Sequence, residues 1–371
     1  MNVLKEKNQL DEVGGVVSLS QLIDRVPLAS NIEIYCKILR DKSVLRKLIN
    51  ESHKIIQNCF EPNEDIGLVL EHSRKAISSI QYESRSNISS YHELSVLASE
   101  RYEKLYNNKG QITGIPSGFV DLDWFTCGFQ PTDFIILAAR PGMGKSAIAL
   151  NISSNVARSG DPVLIFSLEM SKHQLYDRQI SFESQVNLQK FRSGRFAQED
   201  WNRMNDAQGR AFNWPVYIED TAALHYSAIR SKAYSAIEKY GIKLIIVDYL
   251  QLVRGDKEST RDREIAGISA SMKAMAKEFE VPVIVLSQLN RSLENRKNDK
   301  RPKLSDLRDS GTLEQDADLI MFLYRPAVYN EKEMYDGHTE LNIAKHRNGP
   351  TGTINLIWQD RYTRFLSKAR E

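Results

Sequence analysis

The sequence predicts an α/β fold with a mostly parallel central sheet, preceded by an N-terminal α-helical hairpin and a linker helix. Three observations carry this. From residue 113 onward, near-continuous Val, Ile and Leu runs alternate with helical stretches, as strands buried on both faces and joined by crossovers do. One of those runs leads through "RPGMG" into an amphipathic helix opening at Lys145–Ser146, which is the strand–loop–helix context of a phosphate-binding loop. Before residue 113 the apolar residues recur at helical spacing instead.

The chain has 371 residues, which at roughly 150 residues per domain predicts about two domains. Apolar residues make up 41%, enough for a sizeable core, and the formal net charge is +2, so any basic surface must be local. Cys36, Cys59 and Cys127 form no C-x-x-C pair, which argues against a zinc knuckle or redox motif and fits reduced thiols in a cytoplasmic protein. The start "MNVLKEKNQLDEV" has no apolar h-region and no run of 18 apolar residues occurs, so neither a signal peptide nor a membrane span is expected.

Residues 1–88 read as a partial helical domain. "SNIE" at Ser30–Glu33 fits a capping box, and Ile34, Ile38, Leu45, Leu48, Ile49 and Ile56 follow at roughly helical spacing. Glu61, Pro62 and Asn63 break the pattern; Ile66, Val69, Leu70, Ser73, Ile77 and Ile80 mark a second helix, completing an αα-hairpin. Such a hairpin cannot bury both apolar faces alone, so it needs a partner surface. Residues 89–112 form the linker region: after the polar "QYESRSNISS", Tyr91, Leu94, Ala98, Tyr102 and Leu105 make one stripe on a short amphipathic helix. That helix has two possible docking places, its own chain or a neighbouring subunit.

Residues 113–371 form the third region. "DFIILAA", "PVLIFSLE", "KLIIVDYLQLV", "VPVIVLSQL" and "ADLIMFLYR" are the expected parallel strands. "ELNIAKHRN", "GTINLIW" and "YTRFLS", with turn signals between them, predict an antiparallel extension at the sheet edge.

The loop departs from G-x-x-x-x-G-K-[ST] at its first glycine, where Ala139 stands at the strand end. The nucleotide-binding set is Ala139, Arg140, Pro141, Gly142, Met143, Gly144, Lys145, Ser146 and Ala147. In it Lys145 reaches the β/γ-phosphates of ATP and the Ser146 hydroxyl holds Mg²⁺. Asp248, closing the apolar run "LIIVD", is where a Mg²⁺-organising carboxylate falls. Glu169 follows "LIFSL" as a candidate general base, and Gln288 follows "VIVLS" as an amide able to sense the γ-phosphate. Taken singly, Glu169 and Gln288 are each equally well read as a solvated strand end, whereas Asp248, downstream of a phosphate loop, favours the functional reading. Together, all four motifs fall at the carboxyl edge of the strands, where parallel sheets bind ligands.

Lys345 and Arg347 share one face of a predicted strand. The pattern alone fits an ordinary basic face as well as an arginine finger donated to another subunit's ATP. The stretch 290–303 holds Arg291, Arg296, Lys297, Lys300, Arg301 and Lys303 against few acids and predicts a mobile loop suited to a phosphodiester backbone. "LRDSG" follows, with Arg308 and Gly311 flanking a tight turn.

With these residues in place the chain closely resembles the replicative hexameric DNA helicases of the DnaB family. "DEVGGVVSLSQLIDRVPLASNIEIYCKILRDKSVLRKLI" is similar to the second half of that family's N-terminal domain; the globular helical part that usually precedes it is largely absent. "GIPSGFVDLDWFTCGFQPTDFIILAARPGMGKSAIALNI", "IFSLEMS", "IIVDYLQL", "VPVIVLSQLNRS", "LRDSGTLEQDAD" and "AKHRNGPTGT" resemble its helicase motifs in order. The family also tends to carry Ala or Gly where Ala139 stands.

The resemblance implies a RecA-like P-loop ATPase domain assembled as a homo-hexamer around single-stranded DNA, moving 5′ to 3′ and unwinding duplex at the replication fork. It implies Lys145 and Ser146 at the phosphates and Mg²⁺, Glu169 as catalytic base and Asp248 as the Walker B acid. Gln288 would couple the γ-phosphate to the DNA loops, and Lys345 and Arg347 would act in trans. Arg308, Asp309 and Gly311 match the loop that holds the DNA backbone, with Asp309 where the family often has Glu. Residues 91–107 match the linker helix that docks on the adjacent subunit. Primase and a helicase loader are the further partners implied.

Two other readings stay open at this point. A strand-exchange filament on a related fold is opposed by the hairpin and linker, which suit a closed ring. A binding subunit without catalysis is opposed by the joint presence of Lys145, Glu169, Asp248 and Arg347.

Overall fold

The computed structural model describes residues 32–60, 69, 73–74, 76–77, 89–107, 112–256, 260–296, 299–307, 311–329 and 337–368. The Ser30 cap, the turn at 61–63 and most of the second hairpin helix lie outside these residues. Residues 1–103 and 104–371 make two compact units.

In the first unit, α1 spans Ile32–Cys59 as one continuous helix. Leu45, Leu48, Ile49 and Ile56 of its predicted stripe are exposed. α2 spans Tyr91–Asn107, the predicted linker helix. It opens with a reciprocal capping box that the sequence reading passed over: Glu93 N–H donates to Ser90 Oγ (3.2 Å), and Ser90 N–H to the Glu93 carboxylate (2.7 Å). Tyr91, Leu94, Tyr102 and Leu105 all stand exposed on it.

The second unit begins with α3 (Val120–Thr126) and then β1 (Phe134–Ala139), α4 (Lys145–Arg158), β2 (Val163–Ser167) and α5 (Lys172–Ser184). After α6 (Leu188–Ser193) and α7 (Gln198–Ala211) come β3 (Val216–Glu219), α8 (Tyr226–Tyr240), β4 (Leu244–Asp248), α9 (Arg261–Phe279) and β5 (Val283–Gln288). α10 (Gly311–Asp316) precedes β6 (Leu319–Tyr324), β7 (His338–His346), β8 (Gly352–Gln359) and β9 (Arg364–Ser367). Among the described residues these strands form one nine-stranded sheet in the order β3-β2-β4-β5-β1-β6-β7-β8-β9.

The first six strands in that order pair in parallel, and β7, β8 and β9 extend the sheet antiparallel from β6, as predicted. The edge strand β3 was not expected. "VYIE" is only four residues long and half-buried throughout, so it lacks the apolar run that marks the others.

The alternation of strand side chains builds two cores. Phe134, Ile136, Phe166, Ile245, Val247 and Val285 face α8 and α9, meeting Ile229, Ile265, Ile268 and Met272. Ile135, Leu137, Ile165, Ile246, Ile284 and Met321 face α4, meeting Ile148, Ile152 and Val156. Strands covered on both faces must be apolar on both, which is why they read as continuous runs. Each such fully buried side chain contributes about 1.5–3 kcal/mol.

The basic stretch 290–303 differs from its expectation. It forms 3₁₀ turns at Arg291–Asn295 and Leu304–Asp306, and Leu289 bridges Leu307. Arg296 pairs with the buried Asp306, and Arg301 grips Glu340 through two bonds of 2.7 Å. Those charge-assisted bonds engage two of the arginines that composition left unpaired; Lys297 lies outside the described residues. Arg308 and Asp309 lie outside the described residues; Gly311 is the first residue of α10.

Candidate active site

The loop between β1 and α4 borders a cleft of about 340 Å³. Gly142 and Gly144 take positive φ values of 80° and 98°, so the loop's turns favour residues without a Cβ. At Gly144 space is also short: a Cβ there would lie 2.8 Å from the Phe365 ring. Ala139 is fully buried in β1, paired with Gln288 of β5, so no turn glycine is required there. The Met143 side chain turns into the core, and Arg140 is tied to Glu294 and to the Leu289 carbonyl (2.8 Å). Arg140 thereby fastens the loop to the segment following β5.

Lys145 Nζ lies 4.0 Å from Asp248 Oδ1 and 4.2 Å from the centre of the Tyr249 ring. Burial holds the Lys145 ammonium below its ordinary value, opposed by the charges of Asp248 and Glu169. Asp248 is only 4% exposed, and its Oδ1 has no hydrogen-bond partner among the described residues. An orphaned carboxylate oxygen beside a buried lysine is a costly arrangement that a bound cation or its water would satisfy. Ser146 lines the cleft beside Lys145, 4.0 Å from whose Nζ the Asp248 carboxylate lies, so the oxygen donors present fit Mg²⁺.

Glu169 stands exposed on the cleft wall in a turn braced from two sides. Leu168 N–H donates to the Asp248 carbonyl (2.7 Å), and Ser167 Oγ to the Met170 carbonyl (2.7 Å). A capping box at Ser171–Gln174 then starts α5. Gln288 ends β5 at the cleft. Its main chain is held by Gln251, which accepts from the Gln288 N–H (3.3 Å) and donates to Ser287 Oγ (3.1 Å).

The cleft thus gathers Ala139, Arg140, Pro141, Gly142, Gly144, Lys145, Ser146 and Ala147 with Glu169 and Gln288. It also holds residues that the sequence did not single out. Arg178 of α5 reaches it, its guanidinium held below its ordinary value by burial. Trp358 and Thr363 arrive from the antiparallel extension, which is pinned to α4 where Phe365 N–H donates to Asn151 Oδ1 (2.8 Å). The Arg325 guanidinium lies 4.7 Å over Trp358 and donates to the Gly142 carbonyl (3.1 Å). No local motif marks these residues; only the fold brings them to the loop.

Lys345 and Arg347 are not in this cleft. Lys345 donates to the carbonyls of Glu314 and Gln315, and Arg347 to the Gln315 carbonyl (2.6 Å) and Asp318 (3.2 Å). Both therefore cap the C-terminal end of α10, where cations complement the helix dipole. Among the described residues no group of three or more His, Cys, Asp and Glu side chains could hold a metal, and no helix is long and apolar enough to cross a membrane.

Residues 114–367 match the model of the DnaB-like helicase C terminal domain. The chain is 43% identical to the replicative DNA helicase DnaB of Geobacillus stearothermophilus, over 99% of this chain and 82% of that one. It is 42% identical to the replicative DNA helicase DnaC of Bacillus subtilis over the same shares. Among solved structures it is similar to one described as an ATPase domain, with a TM-score of 0.72 and 41% identity over 76% of this chain and all of that one. It is also similar to a DnaB-like replicative helicase whose structure was described with its interactions with primase, with a TM-score of 0.78 and 34% identity, covering 99% of this chain and 87% of that one. A RecA-like sheet, a glycine-turned loop ending in Gly144-Lys145-Ser146 and relatives matched over nearly the whole chain lead to one family: the chain belongs to the DnaB replicative DNA helicases.

Proposed function

We propose that this protein is an ATP-dependent replicative helicase that forms a hexameric ring, moves 5′ to 3′ on single-stranded DNA and unwinds duplex at the fork. The observation that carries the reading is the Asp248 oxygen left without a partner 4.0 Å from Lys145, at the mouth of a glycine-turned loop. Such a site is built for a Mg²⁺-bound triphosphate.

In this reading the backbone N–H groups of Gly142, Gly144, Lys145 and Ser146 and the Lys145 ammonium hold the phosphates, while Ser146 and Asp248 would hold Mg²⁺, which would supply positive charge against the phosphate oxygens. Glu169 takes the proton of the attacking water. Trp358 offers a ring to the base. Gln288, gripped through its main chain by Gln251, relays the state of the γ-phosphate toward the DNA-facing segment. Arg308, Asp309 and Gly311 hold the DNA backbone. Lys345 and Arg347 complete a neighbour's site, which accords with their distance from the cleft of their own chain. The exposed stripe of α2 supports docking on an adjacent subunit. Primase and a loader are the further partners, and the place of work is the cytoplasm.

Forked DNA bearing only a 5′ or only a 3′ tail tests this directly. With ATP and Mg²⁺ the 5′-tailed fork is unwound and the 3′-tailed fork is not. Pairing of strands without unwinding, or no action on either fork, would overturn it.

A further inference from the structure

A second cavity of about 540 Å³ lies in the same unit and shares no lining residue with the first. Its wall is made by Arg158, Glu183, Gln185, Arg210, Trp214 and Arg364. Three arginines against one carboxylate is an unusual balance for a recess, and the hydrogen bonds show where the charges go. Arg158 and Glu183 neutralise each other through two bonds of 2.8 and 3.0 Å. Arg210 donates only to the main-chain carbonyl of Glu183 (3.2 Å). Arg364 lies 4.9 Å over the Phe182 ring, and its Nε is buried with no hydrogen-bond partner among the described residues. Neither Arg210 nor Arg364 has an ion pair among the described residues, so two positive charges remain in the recess.

Guanidinium groups without carboxylates are matched by phosphate oxygens, which accept their forked donors. The same wall carries an aromatic surface: the half-buried Trp214 ring, with the Arg158 guanidinium 5.3 Å over it. Nucleic-acid bases stack on such rings and on arginine planes. The volume falls within the range of ordinary ligand sites. We propose that this recess is a second nucleotide-unit site, taking a base against Trp214 and Arg158 and its phosphate on Arg210 and Arg364. The unit is either a free nucleoside monophosphate or one residue of a DNA strand passing over this face. The two cavities adjoin in sequence, since Thr363, just before β9, borders the first and Arg364, its first residue, the second. The proposal does not rest on the helicase reading.

Photocrosslinking the full chain tests it. The probes are free 5-iodo-2′-deoxyuridine 5′-monophosphate and an oligothymidylate carrying one 5-iododeoxyuridine, with adducts located by peptide mass spectrometry. An adduct on the Trp214 peptide is expected with at least one probe. With the free monophosphate it assigns a small-ligand site, and with the oligonucleotide alone it assigns a strand path. Arg210→Gln together with Arg364→Gln should lower that adduct about tenfold, the scale of lost charge-assisted hydrogen bonds. Basal ATP hydrolysis and adducts elsewhere on the chain should persist, reporting an intact fold. Single Arg364→Lys, which keeps the charge, should retain more of the adduct than Arg364→Gln. No adduct at Trp214 with either probe, or an adduct indifferent to the double substitution in folded protein, would overturn the proposal.

Discussion

Two cationic clusters of this molecule look alike in sequence and differ in structure. Around Lys145, which lines the cleft, the buried carboxylate at 4.0 Å keeps an oxygen with no hydrogen-bond partner among the described residues. Around Lys345 and Arg347 the cations are spent on the Glu314 and Gln315 carbonyls and on Asp318. The first cluster has acceptor capacity to offer a cation. The second is a pair of side chains bonded to their own chain. In the proposed function a triphosphate held by a neighbouring subunit would compete for them, because anionic phosphate oxygens accept more strongly than neutral carbonyls.

The contrast can be broken at either end. Arg347→Ala should have the largest effect, about 10³-fold or more on the ATP hydrolysis rate, while nucleotide binding by its own cleft persists. Loss of binding together with rate would mean that Arg347 supports the fold through Asp318 rather than a neighbour's chemistry. Glu169→Gln should cost about 10²–10⁴-fold in steady-state hydrolysis and leave affinity for ATP nearly unchanged, because the exposed carboxylate acts only on the water. A variant that hydrolyses at the wild-type rate would remove Glu169 from the role of base.

A smaller effect sharpens the Lys145 end. Burial holds the free-state value of Lys145 down, and bound phosphates pull it back up. At a pH between the two values, binding takes up a proton. Affinity therefore falls as pH rises through the free-state value, by up to about tenfold per pH unit. Calorimetry of a non-hydrolysable ATP analogue in buffers of different ionisation enthalpy should show this uptake growing with pH, to no more than one proton. Lys145→Arg should abolish it, and uptake that survives the substitution would locate the titrating group elsewhere.

The same contrast explains what was legible in the sequence. The parallel strands and the loop could be read because burial on both faces demands continuous apolar runs, and because phosphate binding demands Gly144, Lys145 and Ser146 at fixed spacing. Trp358, Thr363 and Arg178, which reach the cleft, and Gln251, which braces Gln288, could not be read, since tertiary packing places them and leaves no periodic or spaced signal. The half-buried β3 lacked an apolar run, and the stretch 290–303 showed basic composition without showing that Asp306 and Glu340 would claim two of its arginines. Composition counts charges; only the fold reveals which are already paired.

The central claim is that each catalytic site is shared between two subunits. Mixing Lys145→Ala protein with Arg347→Ala protein tests it most directly. In mixed oligomers, an Arg347→Ala subunit with its own intact Lys145 can sit beside a Lys145→Ala subunit that still carries Arg347, and that interface holds a complete site. The account predicts that ATP hydrolysis, absent in either variant alone, returns in part on mixing. A mixture as inactive as its parents, while mixed oligomers demonstrably form, would contradict it.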